Sequence, residues 1–324
     1  MSSQGTKTSV LISDDGWFQT THRYGEHDLQ TVTVCARVDA MKGSHEGYWV
    51  IYIHGGAWRD PTITSASFDA TQPLLRSSSI YTSTTLPHIA GFASIEYRLS
   101  PHPQFPQDNT STTPTHLRAA KHPDHIHDVR DALALLQSRY GGVGWKCILV
   151  GHSCGATLAF QAVMGQVAGA RPAPASTRLR RPMAVVGVEG IYDFRLLRNT
   201  YRDCNVYHEF IEGAFGPDEE LWDAVSPAAK KGADGVEDGW REGRLAVLAH
   251  SRDDELVDFG QVAAMKEALE HGWAEKKKGA GEQAKIIVLE DLRGSHDEIW
   301  SKGEEMARVI AVTIGELRKM EMDS

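Results

Sequence analysis

The chain has 324 residues, 41% hydrophobic and 24% charged, which is enough to bury a large core as one α/β domain or one domain with an inserted cap. The formal net charge is −9 and no Lys/Arg stripe runs along the sequence, which argues against a nucleic-acid footprint. No apolar stretch approaches the ~20 residues of a membrane span, and Met1 to Lys7 lack a basic-then-apolar signal pattern, so a cytoplasmic location is expected.

Residues 1–27 are polar and read as a loose N-terminal segment. Val32, Val34, Ala36 and Val38 alternate with Thr31, Thr33, Cys35 and Arg37, which predicts a half-buried, antiparallel strand. Tyr48 to Ile53 is continuously apolar and runs into His54-Gly55-Gly56-Ala57-Trp58. Such a run predicts burial on both faces, as inside a parallel sheet. A helix is expected within 64–76, and a second buried strand at Phe92–Tyr97. Residues 102–123, rich in Pro, Thr, His and Asn, read as loop. Ile126, Val129, Leu133 and Leu136 then fall at helical spacing, with Asp124 as the expected N-cap. His122, His125 and His127 crowd this helix start and read as solvated loop and first-turn residues, not as a metal site.

Cys147 to Val150 is the next apolar run, and it ends in Gly151-His152-Ser153-Cys154-Gly155 ahead of a helix-like segment. Residues 170–182 read as a surface insertion, Met183–Gly190 as a strand, and 195–231 as short helices that cap the site. A Gly/acidic linker at 232–243 precedes a strand at Leu245–His250. A helix at 258–271, a Lys/Gly loop at 272–283, a strand at Ile286–Leu289 and a closing helix at 298–320 complete the chain. Four cysteines (Cys35, Cys147, Cys154, Cys204), with no Cys-x-x-Cys pair, predict neither a disulfide framework nor a zinc site. Alternating strands and helices predict a single domain with a mostly parallel, doubly wound sheet, whose chemistry lies at the carboxyl ends of the strands.

Gly-x-Ser-x-Gly alone arises by chance in roughly one chain in five to ten of this length, so its context decides. A buried strand before it and a helix after it are what a nucleophile elbow requires. A serine hydroxyl is a poor nucleophile until a base takes its proton and a third group orients that base. On the α/β-hydrolase fold the order is Ser, acid, His. Ser153 is followed by Asp254 after one late strand and by His296 after the last. His250 precedes the acid and has the wrong order. Asp253 competes with Asp254, which is favoured because Leu256 and Val257 can anchor its loop. Gly55 and Gly56, with Ala57 beside them, offer backbone N–H groups to an oxyanion, and the N–H of Cys154 completes the hole. Trp58 reads either as a wall of the pocket that contacts substrate or as plain core packing. Cys154 reads as a small buried hydrophobe.

These segments together resemble the α/β-hydrolase superfamily, and more narrowly kynurenine formamidase (arylformamidase) of the fungal type. The resemblance rests on His54–Pro61, Ser94–Pro101, Val150–Thr157, Glu189–Asp193, His250–Leu256 and the His296 region, and spans about residues 30 to 315. His-Gly-Gly-x-Trp, in place of His-Gly-Gly-Gly, is the feature that leans to this family. The resemblance implies a triad of Ser153, Asp254 and His296 and an oxyanion loop at Gly55 and Gly56. It implies hydrolysis of N-formyl-L-kynurenine to L-kynurenine and formate, in tryptophan breakdown towards NAD, by a homodimer that needs no cofactor and no metal. Stretches at 107–121, 170–182 and 274–283 look longer than the family requires. The alternatives are a carboxylesterase or lipase of the hormone-sensitive type, which shares the Tyr97–Pro101 segment, and a ligand-binding scaffold that has lost catalysis.

Overall fold

The computed structural model describes residues 11–13, 15–40, 46–141, 146–171 and 179–323. An antiparallel entry is built from β1 (Leu11–Ile12), β2 (Trp17–Arg23) and β3 (Thr31–Arg37). The parallel body follows with β4 (Tyr48–Ile53), β5 (Ile89–Ile95), β6 (Cys147–His152), β7 (Ala184–Val188), β8 (Leu245–Ser251) and β9 (Lys285–Leu292). The nine strands form one sheet in the order β1-β2-β3-β5-β4-β6-β7-β8-β9, parallel from β5 to β9.

The continuous apolar runs are explained by two cores, one on each face. Trp49, Ile51, Ile53 and Leu149 point to one side, where helices α3 (Asp124–Arg139) and α4 (Cys154–Gln161) pack. Val50, Tyr52, Ile148 and Val150 point to the other, closed by Leu75 of α1 (Thr71–Ser77) and by Met306, Ile310 and Ile314. A strand in the middle of such a sheet cannot alternate polar with apolar, because both faces are dry. The matched sheet topology, with helices on both faces, is the α/β-hydrolase architecture that chain order led us to expect.

Several expectations need correction. The stretch read as loose contains β2, whose Trp17 stacks on Phe92 at a 5.6 Å centroid distance and lies under the Arg76 guanidinium; residues 1–10 lie outside the described ones. The helix expected within 64–76 is a short 3-10 turn at Ser65–Phe68 followed by α1, with a further turn, α2 (Ser79–Thr82), beyond it. Pro123 caps α3, and Asp124 is its first residue. The linker at 232–243 holds a helical turn, α8 (Val236–Gly239), and the buried Trp240. The helix α9 (Phe259–Ala268) runs on through a π-helical turn into α10 (Glu275–Gly279), where a loop was expected. Trp273 in that turn stacks on Trp240 at 4.5 Å, and burial of this pair outweighs the poor helix propensity of Gly272. The closing helix is two helices, α11 (His296–Lys302) and α12 (Glu304–Met322), parted by Gly303 at φ 76°. Most of the 170–182 stretch lies outside the described residues. No described helix is long and apolar enough to cross a membrane.

Candidate active site

Ser153 sits between β6 and α4 with φ 54° and ψ −125°, a conformation that L-residues avoid. Such strain persists only where the surroundings enforce it. Here the Ser153 N–H donates to Val188 O at 2.9 Å, and the turn is closed by glycines on both sides. A β-carbon on Gly151 would stand 2.3 Å from the Gly155 carbonyl oxygen, and one on Gly155 2.2 Å from that of Ile53. The chain therefore threads β4, the serine turn and α4 past one another at backbone contact distance, and Ser153 stays 6% exposed.

The loop after β4 is equally constrained. Gly56, Ala57 and Trp58 all have left-handed backbones, at φ 94°, 49° and 60°. The Gly56 carbonyl accepts from the N–H groups of both Arg59 and Asp60 at 2.9 Å, which holds the loop in a tight turn. His54 braces it from beneath: Nδ1 lies 2.9 Å from Gly55 O, Nε2 3.1 Å from Glu96 Oε1, and the ring stacks on Tyr97 at 4.3 Å. Tyr97 donates its hydroxyl to the His54 and Gly55 carbonyls. Burial would raise the Glu96 carboxyl, but His54 and the Ser65 N–H hold it below its ordinary value. Gly56 and Ala57 line the same pocket as Ser153, while Gly55 packs behind it, its would-be β-carbon 3.1 Å from Ser153 Cβ. Cys154, the first residue of α4, is fully buried, and burial pushes its thiol up to about 11, which keeps it protonated.

His296 opens α11 beneath a capping box made by Ser295 and Glu298. Its Nδ1 lies 3.0 Å from Asp254 Oδ2. Asp254 is itself held: Oδ1 accepts from the Leu256 and Val257 N–H groups at 2.9 Å, and His250 Nε2 approaches Oδ2 at 3.2 Å. Burial would raise this carboxyl, yet hydrogen bonds from His250 and His296 hold it well below the usual range. Asp253 is exposed and turned to the Gly294 N–H. The geometry thus places Asp254, not its neighbour, against the histidine. His250 also contacts the Val257 carbonyl at 2.8 Å, so it braces the acid loop from the strand end.

Two groups beside His296 were not singled out from the sequence. The His152 ring tilts against it at 4.6 Å, and Glu189 Oε2 lies 3.5 Å from His296 Nδ1 and 3.3 Å from His152 Nε2. Among the described residues, this trio is the one grouping with ligand atoms close enough for an ion, all within 4.8 Å, and the histidine–carboxyl contacts themselves account for that spacing. His125 is not solvated, as the sequence suggested, but buried, with Nε2 3.2 Å from Ser100 Oγ; burial lowers it to about 3. His122 is half-buried and bonded to the Ala168 carbonyl, and His127 accepts from Arg171 N–H.

Ser153 and His296 open on one pocket of about 370 Å³, within the size range of small-molecule sites. Its far wall is Cys204, Val206, Tyr207 and Phe210, from the helical stretch between β7 and β8: α5 (Phe194–Thr200), α6 (Asn205–Phe215) and α7 (Glu219–Val225). Arg59 reaches over the Phe210 ring to Glu209 Oε1 at 3.0 Å, which ties α6 to the loop after β4. Trp58 does not contribute to the pocket wall. Its left-handed backbone turns the indole inward, fully buried against Phe194, Phe210 and Phe215 at 5.4, 6.1 and 5.0 Å. Trp58→Ala is therefore expected to cost about 3–5 kcal/mol of stability, as for a large buried aromatic, read from the midpoint of urea unfolding.

A family model described as alpha/beta hydrolase fold matches residues 50–207. The kynurenine formamidase-like hydrolase fscH of Fusarium equiseti is 36% identical over 98% of this chain and 94% of its own length. The kynurenine formamidase avaC of Aspergillus versicolor is 36% identical over 85% and 91%. The kynurenine formamidase of Meyerozyma guilliermondii is 30% identical over 90% and 92%. Among solved structures, esterase B of Lactobacillus rhamnosis superposes with a TM-score of 0.59 over 97% of this chain and 92% of its own, at 16% identity, a likeness of fold alone.

Proposed function

The chain belongs to the kynurenine formamidase family of alpha/beta hydrolases, and on that premise we propose that it cleaves the formamide of N-formyl-L-kynurenine, giving L-kynurenine and formate, through Ser153, His296 and Asp254. The observation that carries the reading is the meeting of a strained serine and a carboxylate-bound histidine at one pocket.

In this mechanism Ser153 Oγ attacks the formyl carbon while His296 Nε2 takes its proton. Asp254, held ionised, steadies the resulting imidazolium. The negative oxygen of the tetrahedral intermediate is met by backbone N–H groups of the Gly55–Ala57 loop and of Cys154, each such donor supplying about 3–4 kcal/mol. Collapse of the intermediate breaks the C–N bond, and His296 returns the proton to the departing aniline nitrogen. A water, deprotonated by the same histidine, then attacks the formyl-serine and releases formate. The acyl side needs room only for hydrogen, so the aromatic amine takes the space beside Val206, Tyr207 and Phe210. The pathway role in tryptophan breakdown and a homodimeric assembly belong to the same proposal.

The test is turnover of N-formyl-L-kynurenine, followed by kynurenine absorbance, beside p-nitrophenyl acetate. Deformylation is expected to exceed ester hydrolysis in kcat/KM, and both are expected to vanish after labelling with a serine-directed fluorophosphonate. Ester hydrolysis without deformylation would move the protein to the carboxylesterases. An unlabelled serine and no turnover would leave only a binding scaffold.

A further inference from the structure

Glu189 takes no part in the steps above, yet it is fully buried beside the reacting histidine. It stands just past β7 in a left-handed conformation, φ 50°, pinned by its N–H to the Ala249 carbonyl at 2.8 Å. Its Oε2 faces His152 Nε2 and His296 Nδ1. A buried acid held in strained backbone and aimed at two rings is not explained by packing alone.

We propose that Glu189 is a positioning residue for the base: lying between His152 and His296, it fixes the direction in which the His296 ring faces Ser153. The proposal rests on the triad reading given above. Its hydrogen bonding is specific. Asp254 already receives His296, His250 and two backbone N–H groups, so it carries the negative charge of the pair. The His296 Nδ1 proton goes to Asp254, at 3.0 Å, and not to Glu189, at 3.5 Å. The contact between Glu189 Oε2 and His152 Nε2, at 3.3 Å, is then a hydrogen bond that needs one proton between the two atoms. Burial and the neighbouring His296 keep His152 uncharged.

The surroundings of Glu189 agree. It is faced by Asp254 and Glu255 from the loop after β8, by Asp297 and His296 from α11, by His152 from β6 and, through Asp254, by His250 from β8. Burial first, then the Asp254 charge, push its carboxyl up to about 10, against one backbone N–H from Ser251 that works the other way. The chemical reason for neutrality follows. A second carboxylate at His296 would stabilise the imidazolium before reaction, and a histidine already protonated cannot take the serine proton.

The test compares Glu189→Ala with Glu189→Gln, which keeps an uncharged planar group with a donor and an acceptor. Glu189→Ala is expected to lower kcat about 100-fold with KM nearly unchanged, the scale of a misplaced catalytic group. Glu189→Gln is expected to recover most of that loss, to within about threefold of the parent enzyme. A thermal readout is independent of turnover. An acid kept neutral in the fold but ionised in the unfolded chain withdraws stability as pH rises above the ordinary carboxyl range. The Gln variant escapes this, so its Tm is expected to exceed the parent's at about pH 8 and to match it at about pH 4. Gln as slow as Ala, full kcat in Ala, or a Tm difference that ignores pH would each overturn the proposal. If Ala fails to fold, the Gln kinetics and Tm profile still decide. Ser153→Ala run alongside separates the two levels: turnover surviving there sinks the triad reading itself, whereas an inactive Ser153→Ala beside an unimpaired Glu189→Ala sinks only the positioning role.

Discussion

Ser153→Ala is expected to lower kcat by about 10⁵–10⁶-fold, the loss seen when a triad acting as a unit loses its nucleophile. The substitution removes one oxygen and adds nothing to a turn whose φ of 54° is already enforced by its neighbours. Tm should therefore hold within about 2 °C, and the folded variant should still bind the formamide. Single-turnover kinetics under excess enzyme, with Tm measured on the same preparation, would check both halves. A variant that kept even a hundredth of the activity would show that another group attacks the substrate.

Gly155→Ala is the second large effect, and it acts through sterics instead of chemistry. The new methyl would stand 2.2 Å from the Ile53 carbonyl oxygen and 2.5 Å from that of His54, and backbone cannot swing aside as a side chain can. Relief requires α4 to move away from β4, which separates the serine turn from the Gly55–Ala57 loop. The expected cost is about 3 kcal/mol, the upper range for overpacking, or a fall of roughly 4–5 °C in Tm for a chain of this length. Activity should drop by more than 100-fold, because both partners of the proposed oxyanion site are displaced. Normal activity at an unchanged Tm would mean that the three segments are not in the contact described.

Where the chain obeys a local rule, the sequence was readable. Strands β4, β6 and β8 announce themselves as unbroken apolar runs, and the serine turn by glycines whose necessity is steric. The chain order of the proposed triad, Ser153, Asp254 and His296, is legible for the same reason, since each follows a strand. What was not readable depends on distant parts of the chain. The sequence leaves the Trp58 indole between pocket and core, because its direction is decided by two successive left-handed residues that no composition signals. Glu189 falls in a segment that carries the resemblance, but no role for it is legible, because its contacts come from β6 and α11, roughly 40 and 100 residues away in the chain. The helical continuation past 271 was hidden by Gly272 and a run of lysines, and only the apposed Trp240 and Trp273 make it favourable.

The socket of Trp58 has a consequence for how this protein can change its range. The proposed reactive centre hangs on strand ends, whereas the far wall of the pocket comes from one contiguous insert between β7 and β8. Such an arrangement invites exchange of the insert by recombination, leaving the chemistry untouched. Yet Phe194, Phe210 and Phe215 of the insert form the cavity that holds Trp58, and Trp58 is the direct continuation of the loop beside Ser153. A grafted insert lacking those three rings would leave the indole without a seat and loosen the loop. Successful chimeras are therefore expected among donors that carry the aromatic trio, with diversity confined to positions such as Cys204, Val206 and Tyr207, which line the pocket.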